Sequence, residues 1–259
     1  IRHNGAELFY SVQGEGPDLM LVHGVGARQE NWERVVDLLK DRYRITRFDL
    51  RGNGRSERVP GPYTIEMLRD DALAVADEVG LKRFHLAGHS LGGLVATALA
   101  LAHPERLRGV AILSAACGRT PEEKATALKR MEMIGSEEPG GHFQRSLPRW
   151  FTEEFVCDNP DIIADYAKRN RDNDPQCYAA VYRVLATTDF ADELHKLKVP
   201  ALVVTGEFDQ GSNPRMSRLM AERIPDAELH ILPKLRHSIL IEAPQVIAPL
   251  LDNFFRRME

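Results

Sequence analysis

Short apolar runs, several rich in β-branched residues, recur along this chain with amphipathic stretches between them, and that alternation constrains its fold more than any other feature. Leu19-Met20-Leu21-Val22 is followed by a helical pattern from Trp32 to Lys40. Tyr43–Phe48 leads through a loop into a helix from about Thr64 to Val79. Phe84-His85-Leu86-Ala87 runs into Leu91–Ala102, and Leu107–Leu113 comes next. Ala201–Thr205, Leu229–Leu232 and a last helix near Pro244–Phe255 complete the series. A strand apolar at every position has two faces to bury, which requires a parallel sheet with helices on both sides. Glu7–Val12 alternates apolar and polar residues instead, as an antiparallel edge strand does. The expected fold is α/β, with a mostly parallel sheet of eight strands.

One region breaks the rhythm. From 119 to 196 no strand pattern occurs, only helical ones at Pro121–Ile134, His142–Trp150, Pro160–Asn170 and Pro175–Ala186. Gly135–Gly141 and Cys157–Pro160 separate them with turn residues and prolines. Residues 119–196 therefore read as a helical cap inserted into a core formed by 1–118 and 197–259.

Composition removes several classes of function. The 259 residues carry a net charge of −4 with acids and bases interleaved, so the basic stripe of a nucleic-acid-binding protein is missing. Apolar stretches stay below about ten residues, against the roughly 20 of a membrane span. The opening Ile1-Arg2-His3-Asn4-Gly5 lacks the apolar run of a signal peptide. Cys117, Cys157 and Cys177 have neither disulfide nor zinc spacing. A cytoplasmic protein with reduced thiols, acting on a small molecule, is the resulting expectation.

Sheets of this type bind ligands beyond the carboxyl ends of their strands, so the residues after each strand matter most. After Phe84–Ala87 comes Gly88-His89-Ser90-Leu91-Gly92-Gly93 and then a helix. That is the G-x-S-x-G elbow, a sharp strand-to-helix turn that holds a serine in strained geometry at the start of a helix. Alone the pattern is a common glycine-rich turn; between a buried strand and a helix it marks Ser90 as a nucleophile. An elbow of this kind shares its oxyanion hole between the amide after the nucleophile and one from an earlier strand's loop. With His23-Gly24-Val25-Gly26 following Leu19–Val22, those amides are Leu91 and Val25. His23 reads as a brace for that loop.

A serine needs a base within hydrogen-bond reach. Of nine histidines, His3, His142 and His195 sit in polar or cap stretches, His85 and His230 in strand patterns, and His103 at a helix end. His89 adjoins Ser90 on a turn that points it elsewhere. His237 lies after the last strand, in the position that completes the order Ser, Asp, His. Asp209, shortly after Ala201–Thr205, is the first choice for the acid that orients it, with Glu207 as the fallback. This chemistry needs neither a metal nor an organic cofactor.

Five ordered segments together resemble the α/β-hydrolase superfamily: His23-Gly24; Asp49-Leu50-Arg51-Gly52-Asn53-Gly54-Arg55-Ser56; Gly88–Gly93; Pro200–Gly206 with Asp209; and His237 ahead of Glu242-Ala243-Pro244. The resemblance spans essentially the whole chain. Within the superfamily the chain is similar to capped serine hydrolases of the 3-oxoadipate enol-lactonase and esterase group, partly through Pro175–Ala180. It implies hydrolysis of a small carboxylic ester or enol-lactone through an acyl-enzyme, and a structural role for Asp49–Ser56. Ser90 argues against the dehalogenase and epoxide-hydrolase relatives, whose nucleophile is an aspartate. A carbon–carbon hydrolase of ring-fission products is one alternative, although Val25-Gly26-Ala27-Arg28 lacks the proline frequent in that group's oxyanion loop. A receptor of the same fold that binds without turnover is the other. In the cap, Trp150, Phe151, Tyr166, Tyr178 and Tyr182 are candidates for an acyl pocket, though aromatics at helical spacing commonly just pack. Arg28, Arg145 and Arg149 are candidates for a substrate carboxylate, though arginines are commonly solvated. Trp150, Tyr178, Tyr182 and Arg145 are carried forward as substrate-binding residues.

Overall fold

The computed structural model describes residues 1–134, 138 and 140–259 of the chain. Strands β1 (Arg2–His3) and β2 (Ala6–Glu7) form a separate two-stranded ribbon. Seven further strands make the main sheet: β3 (Tyr10–Gln13), β4 (Asp18–Val22), β5 (Arg44–Phe48), β6 (Phe84–His89), β7 (Leu107–Leu113), β8 (Ala201–Gly206) and β9 (Ala227–Leu232). Their order is β3-β5-β4-β6-β7-β8-β9, and only β3 runs antiparallel. The main sheet thus has seven strands where eight were expected. The start of the expected Glu7–Val12 strand is diverted, because the Asn4-Gly5 turn folds Glu7 back to pair with Arg2.

The uninterrupted apolar runs are explained by the two layers they feed. Met20, Val22, Leu86, Val110, Ile112 and Val203 pack into one cluster with α2 (Ile65–Glu78), α3 (Leu91–Ala102) and α9 (Pro214–Arg223). Leu19, Leu21, Ala87, Ala111, Leu202 and Val204 face the opposite way, toward α1 (Glu33–Leu39) and α11 (Pro244–Phe255). Successive residues thus serve opposite layers, as the two-residue period of a strand demands. Each fully buried aliphatic side chain contributes about 1.5–3 kcal/mol. At the sheet edge β9 is mostly half-buried, which explains its weaker sequence pattern.

Between β7 and β8 the described residues form α4 (Pro121–Ile134), α5 (Gly141–Trp150), α6 (Glu153–Asp158), α7 (Pro160–Arg171) and α8 (Pro175–Thr187), with no strand among them. Cys157 lies inside α6 rather than in a connecting turn, so the expected Cys157–Pro160 break shrinks to Asn159. Of the expected Gly135–Gly141 break, 135–137 and 139 lie outside the described residues. One further short helix, α10 (Ile239–Glu242), precedes α11.

Strand order decides where a site can form. From β4 the chain moves outward to β5, then crosses to the far side of β4 to lay down β6, β7, β8 and β9 in turn. The direction reverses between β4 and β6, and a crevice opens outside the carboxyl ends of strands at such a switch. The loops after β4 and β6 begin at His23 and Ser90.

Candidate active site

Ser90 occupies the junction of β6 and α3 with φ 58° and ψ −117°. This is a costly conformation for a residue with a side chain, and it persists only where its surroundings impose it. The surroundings here are two backbone contacts that only glycine permits. A Cβ on Gly88 would lie 2.0 Å from the Gly92 carbonyl oxygen, and one on Gly92 would lie 2.2 Å from that of Val22. The Ser90 amide is tied to the Leu113 carbonyl at 2.8 Å, so its hydroxyl is held toward a cavity instead of capping α3.

That cavity has a volume of about 380 Å³, within the range of small-molecule sites. His237 and Asp209 line it with Ser90. His237 Nδ1 lies 2.7 Å from Asp209 Oδ2, while Asp209 Oδ1 accepts from the amides of Gly211 and Ser212, each at 2.9 Å. Both oxygens of this buried carboxylate are therefore assigned, one to the imidazole and the other to the backbone. Glu207, the fallback acid, is exposed and accepts from the Lys234 amide at 2.9 Å, bracing the turn after β9.

Two histidines beside Ser90, His23 and His89, have structural bonds. His23 sits with Nδ1 2.8 Å from the Gly24 carbonyl and Nε2 2.9 Å from the Leu50 amide. A ring that donates at the first nitrogen and accepts at the second is neutral, and burial lowers its pKa accordingly. It braces the loop after β4, as expected. His89 donates from Nε2 to the His237 carbonyl at 2.9 Å. Burial, reinforced by the nearby His237, pushes the His89 pKa down to about 3 and keeps it neutral. His89 was set aside as a base because the elbow turns it away from Ser90; its bond to residue 237 is a long-range contact that nothing along the chain shows.

Val25 lines the cavity, whereas the Leu91 side chain is fully buried and only its amide can serve the site. As a first-turn amide of α3, it has no intrahelical acceptor. Asp49 accepts from the amides of Gln29 and Arg55 at 2.7 and 2.9 Å, and Arg51 makes two 2.6 Å bonds to buried Asp71. Asp49–Ser56 is the structural turn that was expected.

The expected substrate-binding residues divide. Trp150 and Tyr182 line the cavity, and the Trp150 ring stacks over His237 at 6.4 Å and 29°. Tyr178 does not line it: its ring packs against Gly26, behind the loop that carries Val25. Arg145 is exposed on α5 and lies outside the lining. Arg149, one turn further along the same side of α5, lines the cavity: the step carries it along the helix to the end nearer Trp150 and His237 rather than around it. Arg28 lines it too but donates to the Arg169 carbonyl at 3.1 Å and lies 3.4 Å from the Asp172 carboxylate. Arg130 and His142 were missed. Glu123, Thr126, Ala127 and Arg130 all line the cavity at the spacing of one face of α4. That spacing is visible in the sequence; which face turns inward is not.

A family model described as the alpha/beta hydrolase fold matches residues 17–244. The chain belongs to the α/β-hydrolase family. Pimeloyl-[acyl-carrier protein] methyl ester esterase of Aeromonas hydrophila is 30% identical to this hydrolase, over 93% of this chain and 96% of that protein. The 3-oxoadipate enol-lactonase 2 of Acinetobacter baylyi is 26% identical, over 95% of this chain and 91% of that one. Among solved structures, the enol-lactonase from Burkholderia xenovorans LB400 superposes with a TM-score of 0.91 at 31% identity, covering 98% of both chains. These three relatives of this α/β hydrolase are named as an esterase and two enol-lactonases. Among the described residues no helix is long and apolar enough to cross a membrane, and no acidic, histidine or cysteine cluster could hold a metal ion.

Proposed function

We propose that this α/β hydrolase cleaves a small carboxylic ester or enol-lactone through an acyl-enzyme on Ser90. The observation that carries the reading is the 2.7 Å His237–Asp209 bond, formed in the same cavity that the strained Ser90 faces. His237 Nε2 takes the Ser90 proton as the hydroxyl attacks the carbonyl. Asp209 keeps Nδ1 protonated and stabilises the imidazolium. The amides of Val25 and Leu91 receive the oxyanion, and each such donor contributes about 3–4 kcal/mol to transition-state binding. His237 then protonates the departing oxygen and activates the water that releases the acyl group.

Residues 119–196 act as the cap in this reading and select the acyl group, since α4, α5, α7 and α8 all supply cavity walls. The cap wall is basic. Burial lowers the Arg149 pKa, and the charges of Arg130 and Arg145 lower it further. Among the described residues the buried Nε of Arg149 has no hydrogen-bond partner. Arg130 and Arg149 both line the cavity, and cations facing one cavity gain from an anion between them, which favours a substrate bearing a carboxylate. The name of the enol-lactonase relative agrees with that preference.

Three substrates test the reading: p-nitrophenyl acetate, p-nitrophenyl hemisuccinate and an enol-lactone acid. The Ser90→Ala variant should lose at least about 10³-fold in kcat on each with its Tm retained. Arg149→Met should raise KM for the carboxylated substrates about 10-fold or more while sparing the acetate. Equal hydrolysis by wild type and Ser90→Ala would overturn the nucleophile. Turnover of none of the three, with a small ligand still raising the Tm, would favour the receptor.

A further inference from the structure

The Glu242-Ala243-Pro244 segment has no part in the acyl-transfer chemistry, yet its half-buried acid sits within the cap's contact with the His237 loop. Glu242 Oε2 accepts the Thr152 hydroxyl at 2.6 Å, and both carboxylate oxygens accept the Thr152 amide at 3.2 and 3.3 Å. Thr152 joins α5 to α6, and its hydroxyl oxygen also caps α6 by accepting from the Phe155 amide at 3.2 Å. One carboxylate on α10 thereby fixes the turn of residues 148–152.

That same turn grips His237 from both sides. The residue before it, Arg236, donates Nη1 to the carbonyls of Pro148 and Phe151, the second at 3.0 Å. The residue after it, Ser238, donates its amide to the Trp150 carbonyl at 2.9 Å. Between these anchors the Trp150 ring lies against the imidazole. The sheet side holds His237 through Asp209 on its ring and His89 on its carbonyl. The cap side holds it through a turn whose own position depends on Glu242.

We propose that Glu242 is a positioning residue for His237, acting through Thr152 and the 148–152 turn. This rests on His237 being the base, and it assigns part of the cap to proton transfer as well as to substrate selection. Burial raises the Glu242 pKa against the lowering effect of Thr152 and Arg236, as befits an acid held in an interface. Loosening the turn would let the imidazole swing about its bond to Asp209, moving Nε2 away from Ser90. A displacement near 1 Å costs about 100-fold in rate.

The test is steady-state kinetics on p-nitrophenyl acetate, a substrate too small to need the cap for binding, with concentrations set by active-site titration. Glu242→Ala and Thr152→Val should each lower kcat about 10- to 100-fold with KM unchanged. Glu242→Gln and Thr152→Ser, which keep an acceptor and a hydroxyl respectively, should recover to within a few-fold of wild type. In a Trp32→Phe, His142→Gln background, which leaves His237 as the imidazole packed on Trp150, the emission should change with pH, and Glu242→Ala should remove most of that change. If Glu242→Ala does not fold, the near-isosteric Thr152→Val carries the same readouts. Wild-type kcat in folded Thr152→Val or Glu242→Ala would overturn the proposal, as would a lowered Tm with kcat and emission intact. His237→Ala, measured alongside, separates the two failures: if it stays active the base assignment itself is wrong, and if it is dead only the clamp is.

Discussion

At the scale of single residues, the proposed chemistry turns on how Asp209 divides its two oxygens. Oδ1 is held by two amides, so Oδ2 can only face His237. In Asp209→Asn the amide oxygen would keep the backbone bonds, leaving the NH2 group pointed at Nδ1. The ring would then be forced into the tautomer that cannot accept the serine proton. A loss of about 10⁴-fold in kcat is expected with little change in Tm, whereas Glu207→Gln should stay within a few-fold of wild type. Comparable kcat losses in the two variants would contradict the division of roles. The candidates Ser90, Asp209 and His237 were legible in the sequence because each follows a recognisable strand in a diagnostic order. Arg130 and His142 were not legible: both lie on helices between β7 and β8 whose orientation no local pattern reports.

At the scale of elements, strand positions followed from apolarity at every residue, which two covering layers require. β6 and α3 meet as closely as their glycines allow, and the elbow's geometry depends on it. Gly92→Ala would press a methyl group into the Val22 and His23 carbonyl oxygens, at 2.2 and 2.7 Å. Backbone in a central strand cannot yield as a side-chain tip can, so a stability loss of about 3 kcal/mol or more is expected from the urea midpoint. A loss below about 1 kcal/mol would mean the helix moves freely against the sheet. Helices α6 and α10 escaped the sequence reading because they are too short, at 6 and 4 residues, to show a period. The longer α9 escaped it because its buried face is narrow, comprising Met216, Ser217 and Met220.

At the scale of the whole molecule, buried histidines set the response to acid. Burial pushes both His89 and His142 down to about 3, helped for His89 by His237 and for His142 by Arg149, Arg145 and Arg130. Unfolded, each titrates near 6.5. Above that pH both states are neutral and neither histidine affects the equilibrium. Below it the unfolded chain takes up protons that the folded one refuses, so stability falls by about 1 kcal/mol per pH unit for each histidine down to about pH 3. Urea midpoints from pH 7 to 4 should decline for wild type and decline less steeply for His142→Gln. Parallel declines would show that His142 is protonated in the folded state.

From the sequence alone came the parallel sheet, the elbow at Ser90 and the order of its partners, because each is written in local apolarity, glycine placement or succession along the chain. The tertiary structure decided matters that depend on residues far apart in sequence. The choice of Asp209 over Glu207 is one, since it depends on which carboxylate reaches residue 237. So are the bond from His89 to the His237 carbonyl, the facing of Arg149 rather than Arg145 into the cavity, and the Glu242–Thr152 contact between α10 and the turn before α6. Each needs two segments brought together by packing, and packing is a property of the folded whole.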